Sequence, residues 1–370
     1  MMRLRNHASL AASILGCLLP ALAVGCASEA PPAESSSDII GGVDATGASL
    51  DAVGVLIFGE GSATQVFCTG ALIAPSVVLT AKHCAMQLAD AAAAGSTDQL
   101  FTALGTGRFG IGPDAASPKR TVKAKGAVLA SLDVGGVGYG ADMAAYLLEE
   151  AITDVTPLPV SPAAVGAADV GQPFVAIGYG VRDRARQTGQ RKMGNVTLAS
   201  VDGSAYARAW GDFESFRRHY ESTGAVAPGQ EAALRQLYDR PMLAGYEIYL
   251  ERRDGDAQVC TGDSGGPLLR KVDGKLQVFG VASWVPSKDE SEPCARGVVY
   301  TTFGTTAREL VDAVTANACG DVSEAGHCEG NVAVRCVSLE EGSPRVSKTN
   351  CEDANQACSM VSGKVACIDP

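Results

Sequence analysis

Short apolar runs, each bounded by Gly, Pro or Asp, recur along most of the chain. Residues 71–73, 77–79 and 143–148 are examples, and all three are mainly aliphatic. Runs of this length between turn residues are typical of β-strands, and many of them at short spacing indicate a barrel or a sandwich. We therefore expect an all-β fold for the central part of the chain.

One internal segment departs from this pattern and predicts helices. Residues 204–243 are rich in Ala, Arg, Glu and aromatic side chains, and their apolar positions recur at helical spacing. The residues on the predicted apolar faces are Phe213, Phe216, Tyr220, Leu234 and Tyr238. We expect a helical insertion between two strands, which is either a solvated excursion or an exosite beside the functional cleft.

A second helix is predicted near the end of the β-rich region. Leu310, Val311 and Val314 share one face of residues 306–316, which follow Thr305, a candidate N-cap. This helix would close the main domain.

The N-terminus is predicted to be a targeting segment. Arg3 and Arg5 precede an apolar run over 10–24, which is too short for a comfortable membrane span. The run ends LAVGC, which resembles a bacterial lipobox and predicts lipidation of Cys26 after removal of 1–25. The alternative is an ordinary secretory signal cut near residue 27 or 28. Either way the protein is exported, as a membrane-anchored lipoprotein or in a secreted form, and 26–38 form a polar linker or propeptide.

Composition narrows the classes of function. The chain has 370 residues, a formal net charge of -11 and a pI near 4.9, which disfavours nucleic acid as a partner. It has four His in total, and no phosphate loop or metal-ligand spacing is evident. We therefore predict no cofactor and no metal.

The twelve cysteines fall into separate groups. Cys17 and Cys26 belong to the targeting segment, and six others lie within the last 52 residues. Those six are Cys319, Cys328, Cys336, Cys351, Cys358 and Cys367. An even number in a short exported segment predicts a three-disulfide module over 319–370, with an unidentified ligand. Metal binding is the alternative, with His327 as the one possible helper.

The most informative run is CTGDSGGPL at 260–268. Glycines on both sides let a tight turn expose the Ser264 hydroxyl, because no Cβ blocks the approach of a substrate. The backbone N–H groups of Gly262 and Ser264 can converge on one point and stabilise an oxyanion. Asp263 carries a charge that a buried loop must pair. The run therefore predicts a nucleophilic serine.

A serine nucleophile needs a general base, for which His is the usual choice near neutral pH. His83, in LTAKHC at 79–84, follows two predicted strands. The other histidines lie in the targeting segment, a charged stretch and the Cys-rich tail. The carboxylate that orients the base is predicted to be Asp142, because a strand-like run follows it directly. Asp133 is the rival candidate.

Together these motifs resemble the trypsin-like (chymotrypsin-fold) serine proteases, in the order His, Asp, Ser. The matching segments are IIGG at 39–42, TAKHC at 80–84, GYG at 178–180, GDSGGP at 262–267, SW at 283–284 and VYT at 299–301. The resemblance covers about 39–318. The chain departs from the family pattern at Lys82, Tyr179 and Val285.

The resemblance implies two packed six-stranded antiparallel β-barrels, a terminal helix, and an endopeptidase that works through an acyl-enzyme. It also implies two disulfides, Cys68–Cys84 beside the base and Cys260–Cys294 beside the specificity pocket. Cleavage before Ile39 would create an ammonium group that pairs with Asp263 and activates a zymogen. We expect protein or peptide substrates and a monomeric enzyme.

The same resemblance assigns the substrate pocket. Ser283 and Trp284 would pair with the substrate backbone, Gln258 would lie at the pocket base, and Val285 and Val298 would form its walls. A neutral Gln cannot pair with Arg or Lys, and two valines narrow the slot, so we predict cleavage after small aliphatic residues. A shift of one residue would place Gly297 at the wall and reopen the pocket.

Two other functions are possible for such a chain. The first is a catalytically silent binding or adhesion protein on a protease scaffold, which the presence of all three catalytic residue types disfavours. The second is an esterase, but the Gly-x-Ser-x-Gly pattern is met only loosely and the chain order Ser, Asp, His is absent.

Overall fold

The structure is a computed structural model, and the residues that it describes are 39–58, 65–86, 107–130, 139–180, 189–223, 229–286, 294, 296–315, 323, 325–337, 345–354 and 356–369. The predicted targeting segment, the linker with Cys26 and the rival Asp133 lie outside these ranges, so their predictions stay untested. Within the described ranges, no helix has the length and apolar character needed to cross a membrane.

The first barrel follows a two-residue strand, β1 (Val43–Asp44). Its strands are β2 (Val53–Phe58), β3 (Gln65–Ala74), β4 (Val77–Thr80), β5 (Arg108–Ile111), β6 (Arg120–Leu129) and β7 (Ala144–Leu148). They pair antiparallel in the closed order β2-β3-β4-β7-β6-β5. β4 and β7 are buried along their whole length, which explains their unbroken apolar sequence. A short helix, α1 (Lys82–Met86), follows β4 directly.

The second barrel is built from six later strands. They are β8 (Pro173–Gly178), β9 (Lys192–Ser200), β10 (Glu247–Glu251), β11 (Pro267–Val272), β12 (Lys275–Trp284) and β13 (Val298–Thr302). Their antiparallel order is β9-β10-β13-β12-β11-β8, and the β8–β9 pairing closes the ring, while β1 pairs with β9. The prediction of two six-stranded antiparallel barrels is confirmed.

The predicted helical insertion lies between β9 and β10 and contains α2 (Ala205–Trp210), α3 (Phe213–Ser222) and α4 (Glu231–Tyr238). Ser204 and Asp212 cap the first two helices by accepting hydrogen bonds from backbone N–H groups. The predicted apolar faces of α3 and α4 meet in an aromatic cluster, in which Phe216 is fully buried.

The terminal helix is α5 (Thr305–Thr315), and its apolar face packs onto the core of the first barrel. The prediction that Thr305 is the N-cap is wrong by one residue. Gly304 accepts the first backbone hydrogen bond, from Arg308, so Thr305 is already helical. Thr and Gly are about equally favourable as N-cap residues, so the sequence pattern could not distinguish these two neighbouring positions.

The Cys-rich tail forms two small antiparallel sheets. One contains β14 (His327–Glu329), β15 (Val332–Val337) and β16 (Arg345–Asn350), and the other β17 (Ala357–Val361) and β18 (Lys364–Ile368). Disulfides join Cys328 to Cys358 and Cys351 to Cys367. Cys319 and the side chain of Cys336 lie outside the described residues, so the third bridge stays a prediction.

Candidate active site

His83 lies in the first turn of α1, and it contacts Asp142, which lies two residues before β7. The Nδ1 atom of His83 lies 2.8 Å from Oδ2 of Asp142, and the backbone N–H of His83 donates to Oδ1 at 3.0 Å. Asp142 is fully buried, whereas 19% of the His83 side chain is exposed. The carboxylate therefore fixes both the backbone and the ring of His83, and it favours the tautomer that carries its proton on Nδ1.

A third hydrogen bond reaches the same carboxylate from the second barrel. The pairing of β12 with β13 shifts register between Ala282 and Trp284, so Ser283 lies at a bulge. Its hydroxyl donates to Oδ2 of Asp142 at 2.5 Å. Bulges often redirect a side chain next to an active site, and this one turns Ser283 toward the acid. Sequence reasoning assigned Ser283 only to the substrate strand, so its contact with Asp142 was missed.

The environment of Asp142 keeps it ionised. Burial alone raises the pKa of this carboxyl, but the hydrogen bonds and the charge of His83, together with the hydrogen bond from Ser283, outweigh burial and hold the pKa below its ordinary value. A charged acid can stabilise an imidazolium ion during proton transfer.

Lys82, which the family pattern replaces with a small residue, is also fully buried. Burial lowers the pKa of its ammonium group to about 8, although the nearby charge of Asp142 acts in the opposite direction. The active-site interior of this chain therefore contains a lysine that ionises close to the neutral range.

Thr69 of β3 connects the serine loop to the segment that precedes His83. Thr69 donates its backbone N–H to the carbonyl of Ser264 at 2.8 Å and its hydroxyl to the carbonyl of Gly262 at 3.0 Å. Its own carbonyl accepts from the hydroxyl of Thr80 at 2.9 Å, three residues before His83. Thr69 thus ties the loop that contains Ser264 to the segment that contains His83. No motif in the sequence pointed to this residue, which lies far from Ser264 along the chain.

The backbone conformation and close packing at position 265 explain why a glycine must follow the serine. Its φ angle is +77°, which L side chains rarely adopt, and a Cβ there would overlap the hydroxyl of Thr80 and the carbonyl of Thr69. The close approach packs the turn against Thr80 and Ala81, directly before α1. Ser264 itself is half-buried in this turn.

The backbone of the turn offers two N–H groups. Among the described residues, the N–H groups of Gly262 and Ser264 have no hydrogen-bond acceptor, whereas those of Asp263, Gly265 and Gly266 each donate to a carbonyl. Gly262 has a φ angle of +97°, so a glycine is needed there as well. The two N–H groups are the ones that the sequence assigned to an oxyanion hole.

Asp263 points into the protein, away from the turn. It is buried, and its carboxylate accepts from the N–H of Gly180 at 2.8 Å and from the N–H of Cys260 at 2.9 Å. A Cβ on Gly178 or on Gly180 would overlap this carboxylate, which explains the glycines on both sides of Tyr179. The position of Asp263 therefore fixes the shape of the serine loop.

Ile39 is fully buried in the core of the second barrel. Its neighbour Ile40 exchanges backbone hydrogen bonds of 3.1 and 2.8 Å with Gln258. The segment that begins at Ile39 is thus hydrogen-bonded to Gln258, the residue that the resemblance assigned to the base of the substrate pocket.

The pocket residues lie near one another. Gln258, Cys294, Gly297 and Val298 line a single narrow pocket together with Glu251 and Arg252, whereas Ser264, Ser283, Trp284 and Val285 do not line it. Val285 packs against the Cys260–Cys294 disulfide, which the structure contains together with Cys68–Cys84. The side chain of Gln258 is buried, and its Nε2 has no hydrogen-bond partner among the described residues. The lining therefore contains the neutral amide of Gln258, the opposite charges of Glu251 and Arg252, and both Val298 and Gly297.

His83 also lies close to the sulfur atoms of Cys68 and Cys84. Both sulfurs are in a disulfide, so they are not thiolate ligands, and this trio does not form a metal site.

Comparison with known proteins fits this architecture. Two closed antiparallel barrels with few helices define the chymotrypsin class of fold. A family model described as Trypsin matches residues 39–307, and the chain belongs to this family of trypsin-like serine proteases. A protein from Streptomyces glaucescens, described as a trypsin-like protease, is 29% identical over 253 residues, which are 67% of this chain and 75% of that protein.

Proposed function

We propose that this chain is a serine endopeptidase in which Ser264 is the nucleophile, His83 the general base and Asp142 the orienting acid. The observation that carries the proposal is the double contact of Asp142 with the backbone N–H and Nδ1 of His83. This contact leaves Nε2 of His83 as the proton acceptor. Membership of a protease family supports protein or peptide substrates.

In the proposed reaction, Oγ of Ser264 attacks the scissile carbonyl carbon as Nε2 of His83 takes its proton. The N–H groups of Gly262 and Ser264 stabilise the resulting oxyanion. His83 then donates the proton to the leaving amine, and an acyl-enzyme remains on Ser264. Water, activated by the same imidazole, hydrolyses the ester and restores the free hydroxyl.

The test compares the processed chain with Ser264→Ala and His83→Ala. Both substitutions should abolish casein hydrolysis to a similar extent, because the two residues act as one unit. Far-ultraviolet circular dichroism should show that both variants are folded. Casein cleavage by folded Ser264→Ala at the parental rate would contradict the assignment.

We further propose that cleavage before Ile39 activates the enzyme. Ile39 has a φ angle of 46°, in a region that is strained for a β-branched residue. The left-handed backbone conformation costs an L residue roughly 1–2 kcal/mol. Cutting the peptide bond before Ile39 removes this strain. The new ammonium group would pair with the buried carboxylate of Asp263. The residue before the cut is Asp38, so the activating protease would not be of the trypsin type.

Activation is tested with two chains that begin at residues 27 and 39. The longer chain should be weakly active or inactive, and the shorter one fully active. Equal activity of the two chains would contradict the activation step.

Export with a lipid on Cys26 is part of the same proposal. Cleavage before Ile39 would release the enzyme from such an anchor, because Cys26 lies upstream. Mass spectrometry of the mature N-terminus tests this directly. A lipidated Cys26 supports the anchor, whereas an N-terminus at residue 27 or 28 supports an ordinary secretory signal.

For substrate preference, we propose cleavage after small aliphatic residues. Gln258 itself carries no charge to pair with Arg or Lys, and the carboxylate of Glu251 shares the pocket with the guanidinium of Arg252. Val298 lines the same pocket, and Val285 packs against the Cys260–Cys294 disulfide. Peptide amides that differ only at the residue before the scissile bond should be cleaved fastest with Ala or Val. Fastest cleavage with Arg or Lys would contradict the role of Gln258, and fastest cleavage with Phe would favour Gly297 as the wall.

A further inference from the structure

A fully buried arginine, Arg191, lies directly before β9. Its guanidinium donates to three backbone carbonyls of one short segment, those of Ala45 at 2.8 Å, Gly47 at 3.3 Å and Val53 at 2.8 Å. Its charge is paired with Asp51, whose carboxylate lies 3.0 Å from Nη2. Removing one partner of such a buried pair is strongly unfavourable, so Arg191 fixes the path of residues 45–53.

The segment that Arg191 holds leads back to the proposed new N-terminus. The backbone N–H of Ala45 donates to the carbonyl of Arg191 at 2.9 Å, so Arg191 contacts Ala45 through both its backbone and its side chain. Val43 and Asp44 pair with β9 in between. The chain from Ile39 to Ala45 therefore follows the second barrel, and Arg191 holds its far end.

Tyr179, which stands where the family pattern has Trp, contacts the same arginine. Its hydroxyl lies 3.1 Å from the carbonyl oxygen of Val53, which also accepts from Nη1 of Arg191, and 2.5 Å from that of Gly112. Burial raises the pKa of this hydroxyl, although the charge and a hydrogen bond of Arg191 act in the opposite direction, so it stays protonated at neutral pH. A hydroxyl can donate to a carbonyl and accept from a guanidinium, whereas an indole N–H can only donate. Tyr therefore suits a position beside a buried arginine.

The backbone at Tyr179 is hydrogen-bonded to the serine loop by two routes. The N–H of Tyr179 donates to the hydroxyl of Thr69 at 3.3 Å, and Thr69 in turn donates to two carbonyls of the serine loop. The N–H of the next residue, Gly180, donates to the carboxylate of Asp263 at 2.8 Å. A displacement of Tyr179 would therefore move both the threonine that holds the loop and the carboxylate that shapes it.

We infer that Arg191 and Tyr179 are positioning residues that transmit the placement of the N-terminal segment to Asp263 and to the oxyanion-forming turn. The inference rests on the proposed function, in which cleavage before Ile39 activates the enzyme. Arg191 fixes the segment that follows the cut, and Tyr179 meets the same carbonyl group. The backbone after Tyr179 then orients the carboxylate with which the new ammonium group pairs. Both residues act through Asp263 and not on the substrate itself.

The test is Tyr179→Phe in a processed chain that begins at Ile39. The substitution keeps the buried ring and removes only the hydroxyl that contacts Arg191 and the two carbonyls. For a peptide amide, kcat should fall about tenfold with KM nearly unchanged, because the oxyanion-forming turn acts mainly in the transition state. Arg191→Lys keeps the charge beside Asp51 but replaces a planar fork with a point charge, so it should give a larger loss of the same kind.

The pH dependence of kcat/KM separates positioning from a general loss of stability. The ammonium group of Ile39 must be protonated to pair with Asp263, and the pairing raises its pKa, so activity is lost as the pH rises through that raised pKa. Poorer placement of Asp263 lowers this pKa, so Tyr179→Phe should lose activity at a lower pH than the parent. Burial and the charge of Asp263 hold the pKa of Tyr300 well above its ordinary value, so Tyr300 stays neutral across this range. Lys82, which titrates near pH 8, is present in both chains, so the comparison removes its contribution.

The matched control is Asp44→Asn, which removes an exposed ion pair with Lys192 in the same N-terminal segment. This pair lies outside the path from Arg191 to Asp263, so neither kcat nor the alkaline limit should change. If Arg191→Lys does not fold, Tyr179→Phe decides alone.

Parental kcat and a parental alkaline limit in folded Tyr179→Phe would overturn the inference. A lower kcat without a shift of the alkaline limit would also overturn it, because it would assign the hydroxyl to packing alone. Failure of the parent to react with a fluorophosphonate would instead reject the proposed function, and equal activity of the chains that begin at residues 27 and 39 would reject the activation step.

Discussion

Replacing Lys82 with Met should stabilise the folded protein at neutral pH. The ordinary pKa of this ammonium group is 10.5, and burial lowers it to about 8 in the folded state. The difference of roughly 2.5 units corresponds to about 3 kcal/mol of destabilisation when the group is charged in both states. Met has a similar length and no charge, so the variant avoids this cost.

The sign of the pH dependence follows from the direction of the shift. Between pH 8 and 10.5 the unfolded chain binds more protons than the folded chain, so this lysine makes stability rise with pH across that window. Below pH 8 its cost is fully present. The advantage of Lys82→Met should therefore be largest, up to about 3 kcal/mol, at pH 7 and should shrink toward pH 10.5.

The assay is urea unfolding between pH 7 and 10.5. Ser264→Ala is the background for every variant, so that no chain can digest itself. Lys271→Met, at an exposed position of β11, is the matched control and should not change the pH dependence of stability. A Lys82→Met variant that is less stable than its background at pH 7, or a stability difference that does not change with pH, would contradict a destabilising charge on Lys82.

Three further predictions concern the site and the tail. Ser283→Ala removes a hydrogen bond that lowers the pKa of Asp142. We expect kcat/KM to fall by about 10–100-fold and the acidic limb of the pH–rate profile to move to higher pH, and an unchanged profile would contradict this. Gly265→Ala introduces a Cβ that would overlap the hydroxyl of Thr80, at a φ of +77°. The folded variant should therefore react with a fluorophosphonate at least about 100-fold more slowly, and labelling at the parental rate would show that the turn tolerates a Cβ at this position. Truncation after residue 318 should leave peptide hydrolysis nearly intact, because the tail has its own sheets and disulfides, and loss of activity would make the tail a stabilising cap.

Local sequence patterns predicted the parts of the molecule that depend on local chemistry. The glycines around Ser264 are required by positive φ angles and close approach, so the motif itself indicates the turn. The apolar run after Asp142 correctly predicted β7, because a strand buried on both faces is unbroken in its apolar sequence. The aromatic faces of α3 and α4 also followed from helical spacing alone.

Contacts between distant segments could not be predicted in this way. The hydroxyl of Thr69 meets the carbonyl of Gly262 across 193 positions of the sequence, and nothing local distinguishes this threonine from others. The contact of Ser283 with Asp142 depends on a bulge in β12, which arises only when β12 pairs with β13. The contact between Tyr206 and Trp284 likewise requires the folded insertion.

The most direct test of Ser264 as the nucleophile is to map the site of a fluorophosphonate adduct on the processed chain. A phosphonylating reagent reacts quickly only with a serine that an adjacent base activates and an oxyanion hole assists. We expect a single rapid adduct on the peptide that contains Ser264, and we expect His83→Ala to slow its formation severely. An adduct on another serine, or peptide hydrolysis that continues undiminished after Ser264 is fully labelled, would contradict it.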